Sequence, residues 1–137
     1  MTARFGALSI LLIVVSGCAA TGSFGLNEQR IAGDYSLQRW EDFRTYYLED
    51  SEREYESFPD PGPVGGTVVR IGWNEAFIVV ERKAHFYGRI DGWMIIDVRQ
   101  KIIRGPVPFA AIEADRRLRN IRVLTADEAW ALLEKRD

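Results

Sequence analysis

Hydrophobic residues occur in one N-terminal run and in a series of shorter runs that begin near residue 30. The first run covers residues 7–15 (ALSILLIVV), and the positively charged Arg4 precedes it. It has about half of the roughly twenty residues that a bilayer-spanning helix requires. A basic start followed by a short apolar segment and small residues is typical of a secretory signal. We therefore expect residues 1–17 to be a cleaved signal peptide.

The only cysteine of the chain, Cys18, follows this leader immediately. The sequence Val15-Ser16-Gly17-Cys18 resembles the lipobox of bacterial lipoprotein precursors, in which the chain is cleaved between glycine and cysteine and the sulfur receives a lipid. A single cysteine also argues against a domain stabilised by internal disulfides. A core thiol that follows an ordinary signal is the alternative.

The lipobox resemblance implies a location. It implies a diacylglyceryl group on Cys18 and acyl chains such as palmitate, and two or more such chains hold a protein stably on a membrane. Ala19 follows the cysteine, and in the Gram-negative sorting scheme the absence of Asp there favours the outer membrane, facing the periplasm. We expect residues 18–28 to form a flexible tether and residues 29–137 to form one domain.

Short runs rich in aromatic and β-branched residues predict strands between residues 30 and 103. Two runs lie within residues 30–48, and we interpret both as strands. The same segment also has apolar residues at helical spacing, namely Leu37, Trp40, Phe43 and Tyr47. Later runs such as FIVV and WMII lie too close together for parallel crossovers and predict an antiparallel meander, with a hairpin at Asp91-Gly92.

The pattern becomes helical after Gly105-Pro106. Phe109, Ile112 and Leu118 predict a first helix with arginines near its C-terminal end, where the helix dipole favours cations. Thr125 and Glu128 have the spacing of a capping box that begins a second helix. The predicted fold class is α+β, an antiparallel β-meander followed by two C-terminal helices packed on the sheet.

Three segments of this domain, GWNEAFIVV, DGWMIIDV and IIRGP, resemble a family of small uncharacterised bacterial lipoproteins. The resemblance covers residues 66–135 and lies at fold-forming positions. These are Trp73, Asn74, Ile78, Trp93, Ile95, Ile96, Asp97, Gly105 and Pro106. It implies an anchored β-rich domain and brings no activity with it.

Motifs for catalysis or metal binding are missing from the sequence. His85 is the only histidine, so the chain lacks the ligand set of a zinc site, and we expect His85 at the surface or a strand edge. There is no G-x-S-x-G elbow and no glycine-rich phosphate loop. Without Arg4, 17 basic residues stand against 20 acidic ones, a net charge of −3, which argues against a nucleic-acid partner. We expect no enzyme activity, cofactor or metal.

Residues 49–66 form a predicted loop that combines many carboxylates with prolines. Its spacing does not match a calcium loop, but aromatic side chains within it could anchor a partner. The candidate partner-binding residues are Glu52, Glu54, Tyr55, Glu56 and Phe58. We expect the four tryptophans to be core residues instead.

These observations favour a lipid-anchored envelope lipoprotein with a non-enzymatic protein-interaction or structural role. Its expected partners are the membrane, through the lipid on Cys18, and a protein or envelope component. The alternative is an inhibitor or immunity-type protein that blocks a periplasmic hydrolase with its acidic loop.

Overall fold

Two antiparallel sheets and two helices make up the described part of the chain. The computed structural model describes residues 27–55, 62–85 and 88–136. The predicted positions Gly17, Cys18, Glu56 and Phe58 lie outside these ranges. The predicted α+β class, with strands followed by two C-terminal helices, is confirmed.

Three consecutive strands form the first sheet, β1 (Glu28–Ala32), β2 (Tyr35–Arg39) and β3 (Tyr46–Asp50). Leu37 pairs with Leu48, and both side chains are buried. The strand interpretation of residues 30–48 is therefore confirmed, since these strands pair antiparallel and burial alternates along β3. The aromatic residues Trp40 and Phe43 do not belong to either strand, however, because they lie in the turn that joins β2 to β3.

The second sheet has the order β7-β6-β5-β4-β8. Its strands are β4 (Thr67–Trp73), β5 (Phe77–Lys83), β6 (Gly92–Asp97), β7 (Ile102–Val107) and β8 (Leu124–Thr125). Residues 78–80 of β5 are all buried, which confirms that both faces of the sheet are covered. The prediction of a tight turn at Asp91-Gly92 is wrong. Gly92 already belongs to β6 and pairs with Arg82, and the connection from β5 to β6 covers residues 84–91.

The two helices differ in how well the sequence specifies them. Helix α1 (Phe109–Ala114) ends before Leu118, so the expected C-terminal arginines lie beyond it. The chain turns there because the carboxylate of Asp115 accepts hydrogen bonds from the backbone and guanidinium of Arg117, which lower the pKa of Asp115 to about 2. Helix α2 (Ala126–Glu134) begins with the predicted capping box.

Two hydrophobic clusters cover the two faces of the five-stranded sheet. One cluster joins this sheet to the three-stranded sheet and to α2, and the other lies under α1 and the segment that follows it. Trp93 and Trp130 are buried and Trp73 is half-buried, but Trp40 is 58% exposed. The expectation that all four tryptophans are core residues is therefore wrong for Trp40.

Candidate binding cleft and aromatic tip

A cleft of about 1390 Å³ lies where the edge of the three-stranded sheet meets the N-terminal end of β4. Strand β8 pairs with β4 at Arg70 and Ile71, beyond this end. Strand β3 forms the facing wall, and residues 51–55 and the start of α2 complete the lining. Three partly exposed aromatic side chains line the cleft, those of Trp40, Tyr47 and Tyr55.

Polar and aromatic side chains lie together on the β2–β3 wall of the cleft. The Gln38 amide donates a hydrogen bond to the Glu49 carboxylate, and the Trp40 ring packs edge-on against Tyr47 with centroids 5.8 Å apart. Burial raises the pKa of Glu49, and the nearby charge of Glu28 raises it further. This wall offers planar hydrogen-bonding groups beside flat apolar rings, a combination common in binding sites.

A cluster of four charged residues, called the ion cluster below, supports one end of the cleft. The ammonium of Lys101 lies 2.9 Å from Asp50, 3.1 Å from Asp34 and 3.2 Å from Glu52. Asp50 has no exposed side-chain surface, and the Lys101 side chain is 14% exposed. Because Lys101 comes from the β6–β7 turn, these contacts fasten the three-stranded sheet to the five-stranded sheet.

The ion cluster keeps Asp50 and Lys101 charged. Burial alone would raise the pKa of Asp50, but the hydrogen bonds from Lys101 and from the backbone N–H of Glu52 outweigh it and lower the pKa. Burial likewise opposes the charge of Lys101, yet hydrogen bonds to the three carboxylates raise its pKa. A buried carboxylate held by an ammonium and a backbone donor is satisfied, so this end of the cleft has a fixed geometry.

The structure separates the predicted partner-binding residues. Glu54 and Tyr55 line the cleft, and the Tyr55 hydroxyl lies 3.5 Å from Asp50. Glu52 also lines the cleft, but its carboxylate is engaged by Lys101 although its side chain is 65% exposed. Glu56 and Phe58 lie outside the described residues, so the hypothesis about them stays a prediction.

His85 lies at the rim of the cleft, two residues after β5 ends. Its Nε2 atom is 3.3 Å from the hydroxyl of Thr67, and the residue is exposed. The predicted surface or strand-edge position is confirmed.

The turn from Trp40 to Thr45, called the aromatic tip below, lies at the opposite end of β2 and β3 from the ion cluster. Trp40 and Phe43 are 58% and 62% exposed there. The Asp42 carboxylate accepts hydrogen bonds from the backbone N–H groups of Arg44 and Thr45, at 2.9 and 2.8 Å, and from the Thr45 hydroxyl. These bonds lower the pKa of Asp42 and hold the turn in one conformation.

Arg39 joins the aromatic tip to helix α2. Its guanidinium lies 4.5 Å from the ring centre of Trp130 and 5.0 Å from that of Phe43. Within the residues that can be described, its Nε is buried without a hydrogen-bond partner. Its Nη2 atom lies 4.0 Å from the Glu134 carboxylate. Stacking between two aromatic rings and this ion pair hold the side chain, so the tip is fixed to the body of the domain.

The sequence signals missed two features of this region. Lys101 is separated from the acidic residues by 49 to 67 positions, and no local pattern marks a lysine that will lie between carboxylates. The aromatic tip was not predicted because Trp40 and Phe43 continue the apolar pattern of the strands. The pattern Asp42-x-x-Thr45 was the available signal, since an aspartate that accepts from following backbone N–H groups is a turn-former.

Comparison of the chain with protein families, with curated proteins and with solved structures finds no match. The lipoprotein resemblance of residues 66–135 therefore stays a prediction. Among the described residues, no group of three or more histidine, cysteine, aspartate or glutamate side chains could hold a metal ion. In the same ranges, no helix has the length and apolar character needed to cross a membrane.

Proposed function

We propose that this protein is a lipid-anchored envelope lipoprotein whose domain binds a protein or envelope component in the cleft between β3 and β4. The observation that carries the binding role is the cleft itself, which places Tyr47 and Tyr55 beside hydrogen-bonding side chains on a rigid support. The proposed anchor is the lipid on Cys18, and the proposed location is the outer membrane, facing the periplasm.

Binding without catalysis suits the chemistry of the lining. Aromatic rings contribute large contact areas at small entropic cost, and the polar groups around them set orientation. The charged groups of mixed sign in this lining include Arg53, Glu54 and Lys83. A partner with both polar and apolar contact groups fits such a surface better than a strongly charged one.

Site-specific photo-crosslinking in intact cells tests the binding role. A photoreactive residue at Tyr47 or Tyr55 should yield the same discrete adduct, whereas one at the exposed Leu132 on α2 should not. Adducts of equal yield at all three positions, or none in the cleft, would contradict the proposal. Cys18→Ala tests the anchor separately, because it should prevent lipid attachment and release the protein from the membrane fraction.

The inhibitor alternative makes a different prediction about the acidic residues. Glu52 is held by Lys101, whereas Glu54 is exposed at the cleft. If the segment inserts into a hydrolase, charge reversal at Glu54 should abolish inhibition while the fold remains intact. Inhibition that survives Glu54→Lys would argue against the alternative.

A further inference from the structure

The first described residue lies beside the aromatic tip. The backbone N–H of Arg39, the last residue of β2, donates a 2.8 Å hydrogen bond to the carbonyl of Asn27. Trp40 follows directly, so the chain that comes from Cys18 enters the domain at the end where Trp40 and Phe43 are exposed. The ion cluster lies at the other end of the same strands.

The length of chain before Asn27 limits how far this end can lie from a lipid on Cys18. The nine residue steps from Cys18 to Asn27 span at most about 32 Å even at full extension. This distance is comparable with the size of a domain of this length, whose radius of gyration is about 13 Å. With the lipid in a bilayer, the tip end therefore stays within about 32 Å of the lipid, whereas the ion-cluster end can lie farther from the membrane.

The composition of the aromatic tip suits the interface of a bilayer. Trp40 and Phe43 present large rings to the outside. Trp favours the headgroup level of membranes, and Phe is common on the apolar side of segments that lie in the interface. Arg39 and Arg44 balance the two acidic residues of the turn, Glu41 and Asp42. The tip together with the preceding Arg39 therefore carries no net negative charge that an anionic membrane surface would repel.

The backbone supplies an independent observation. Phe43 has φ of 57°, a left-handed conformation that is unusual for a bulky residue. The Asp42 hydrogen bonds keep the turn in this conformation while most of the Phe43 ring stays exposed. Strain of this kind at an exposed position is typical of functional sites.

We propose that the aromatic tip docks into the bilayer interface through Trp40 and Phe43 and thereby orients the lipid-anchored domain. This inference rests on the proposed lipid anchor at Cys18. Docking buries the apolar area of two rings and so adds to the membrane affinity that the lipid provides. It also fixes which end of the domain faces the membrane. The cleft then extends from the membrane side at Trp40 toward the ion cluster, which leaves its far end open to a partner.

Fluorescence quenching by lipid tests the orientation. The full-length chain, processed in a lipoprotein-modifying host, is reconstituted in vesicles of phosphatidylethanolamine and phosphatidylglycerol with brominated acyl chains. We expect lipid quenching of tryptophan emission in the parent protein and loss of most of it in Trp40→Phe. Phe43→Gly, which suits the observed φ, should also reduce quenching, whereas Ile102→Ser should not. Ile102 is the matched control because it is 47% exposed and follows Lys101 at the opposite end.

The outcomes distinguish this inference from the proposed anchor. Protein that fails to float with the vesicles although Cys18 is present contradicts the anchor, and the inference falls with it. Protein that floats while Trp40 is quenched by aqueous acrylamide and not by brominated lipid overturns the inference alone. That second result would make the tip a surface for a water-soluble partner.

Discussion

The β6–β7 turn and the aromatic tip both place a non-glycine residue in the left-handed conformation, and they differ in what surrounds it. Lys101 has φ of 55° and Phe43 has φ of 57°. The Lys101 side chain is largely buried and contacts three carboxylates, whereas the Phe43 ring is mostly exposed and contacts Arg39.

The same backbone strain therefore has two explanations. At Lys101 the ionic contacts join the two sheets, so the strain is offset by interactions that stabilise the fold. At Phe43 most of the side chain faces away from the protein, so the contacts offset less of the strain. This difference is why we assign Lys101 to folding and Phe43 to an interaction.

The largest expected effect comes from removing the charge at the ion cluster. In Lys101→Met, the buried Asp50 loses its ammonium partner while the left-handed backbone remains occupied by a bulky residue. An uncompensated buried carboxylate is strongly destabilising, and we expect the thermal midpoint to fall by on the order of 10 °C. Differential scanning calorimetry at neutral pH measures this fall.

Lys101→Gly is the matched variant for the same position. It also removes the ammonium but suits the left-handed φ, so it should be less stable than the parent and more stable than Lys101→Met. A glycine variant as stable as the parent would show that the ionic contacts of Lys101 contribute nothing to folding stability. It would then contradict the claim that Lys101 stabilises the fold whereas Phe43 does not.

Acid should act in opposite directions on the parent and on Lys101→Met. In the parent, the folded pKa of Asp50 is lowered, so its contribution is present above the ordinary value near 4 and is lost as the pH falls through the lower, folded pKa. In Lys101→Met, burial dominates and raises that pKa, so the variant should gain stability as the pH falls toward about 4. Urea unfolding between neutral and acidic pH measures both slopes, and parallel slopes would contradict the role of Lys101.

Alkali should weaken the core beside the ion cluster. Burial raises the pKa of Tyr35 to about 12, and the charge of Asp50 adds to the shift. A raised tyrosine pKa gives stability that is complete below the ordinary value near 10 and is lost as the pH rises through the folded value. We expect unfolding free energy to fall between these pH values and to fall less steeply in Tyr35→Phe.

Asp42→Ala should loosen the aromatic tip with a small effect on the whole domain. It removes the acceptor of three hydrogen bonds, so amide exchange at Arg44 and Thr45 should become faster. The thermal midpoint should change by only about 3 °C, because the tip is exposed and lies outside the core. Unchanged exchange at both amides would show that Asp42 does not hold the turn.

The fold was predictable from sequence where local patterns and global packing agree. The strands around residues 78–80 and the capping box at Thr125 follow directly from apolar runs and side-chain spacing. Helix α1 is shorter than predicted because Asp115 and Arg117 form a turn that helical periodicity does not reveal.

The candidate site was less predictable because it depends on residues far apart in the chain. The acidic loop pointed to Glu54 and Tyr55, which line the cleft, and their role in binding stays a prediction. The partner of Glu52 is Lys101, which only the packing of the two sheets brings close. Trp40 matched the core pattern, and its exposure follows from the turn that begins there.

The unfolding free energy of Phe43→Gly tests most directly whether the strained aromatic tip is unnecessary for folding. Glycine relieves the left-handed strain but has greater freedom in the unfolded chain, so we expect stability within about 1 kcal/mol of the parent, on the stabilising side. Equilibrium unfolding in urea gives this value. A loss of more than about 2 kcal/mol, comparable to truncation of a buried aromatic side chain, would show that Phe43 stabilises the fold and would contradict its assignment to an interaction.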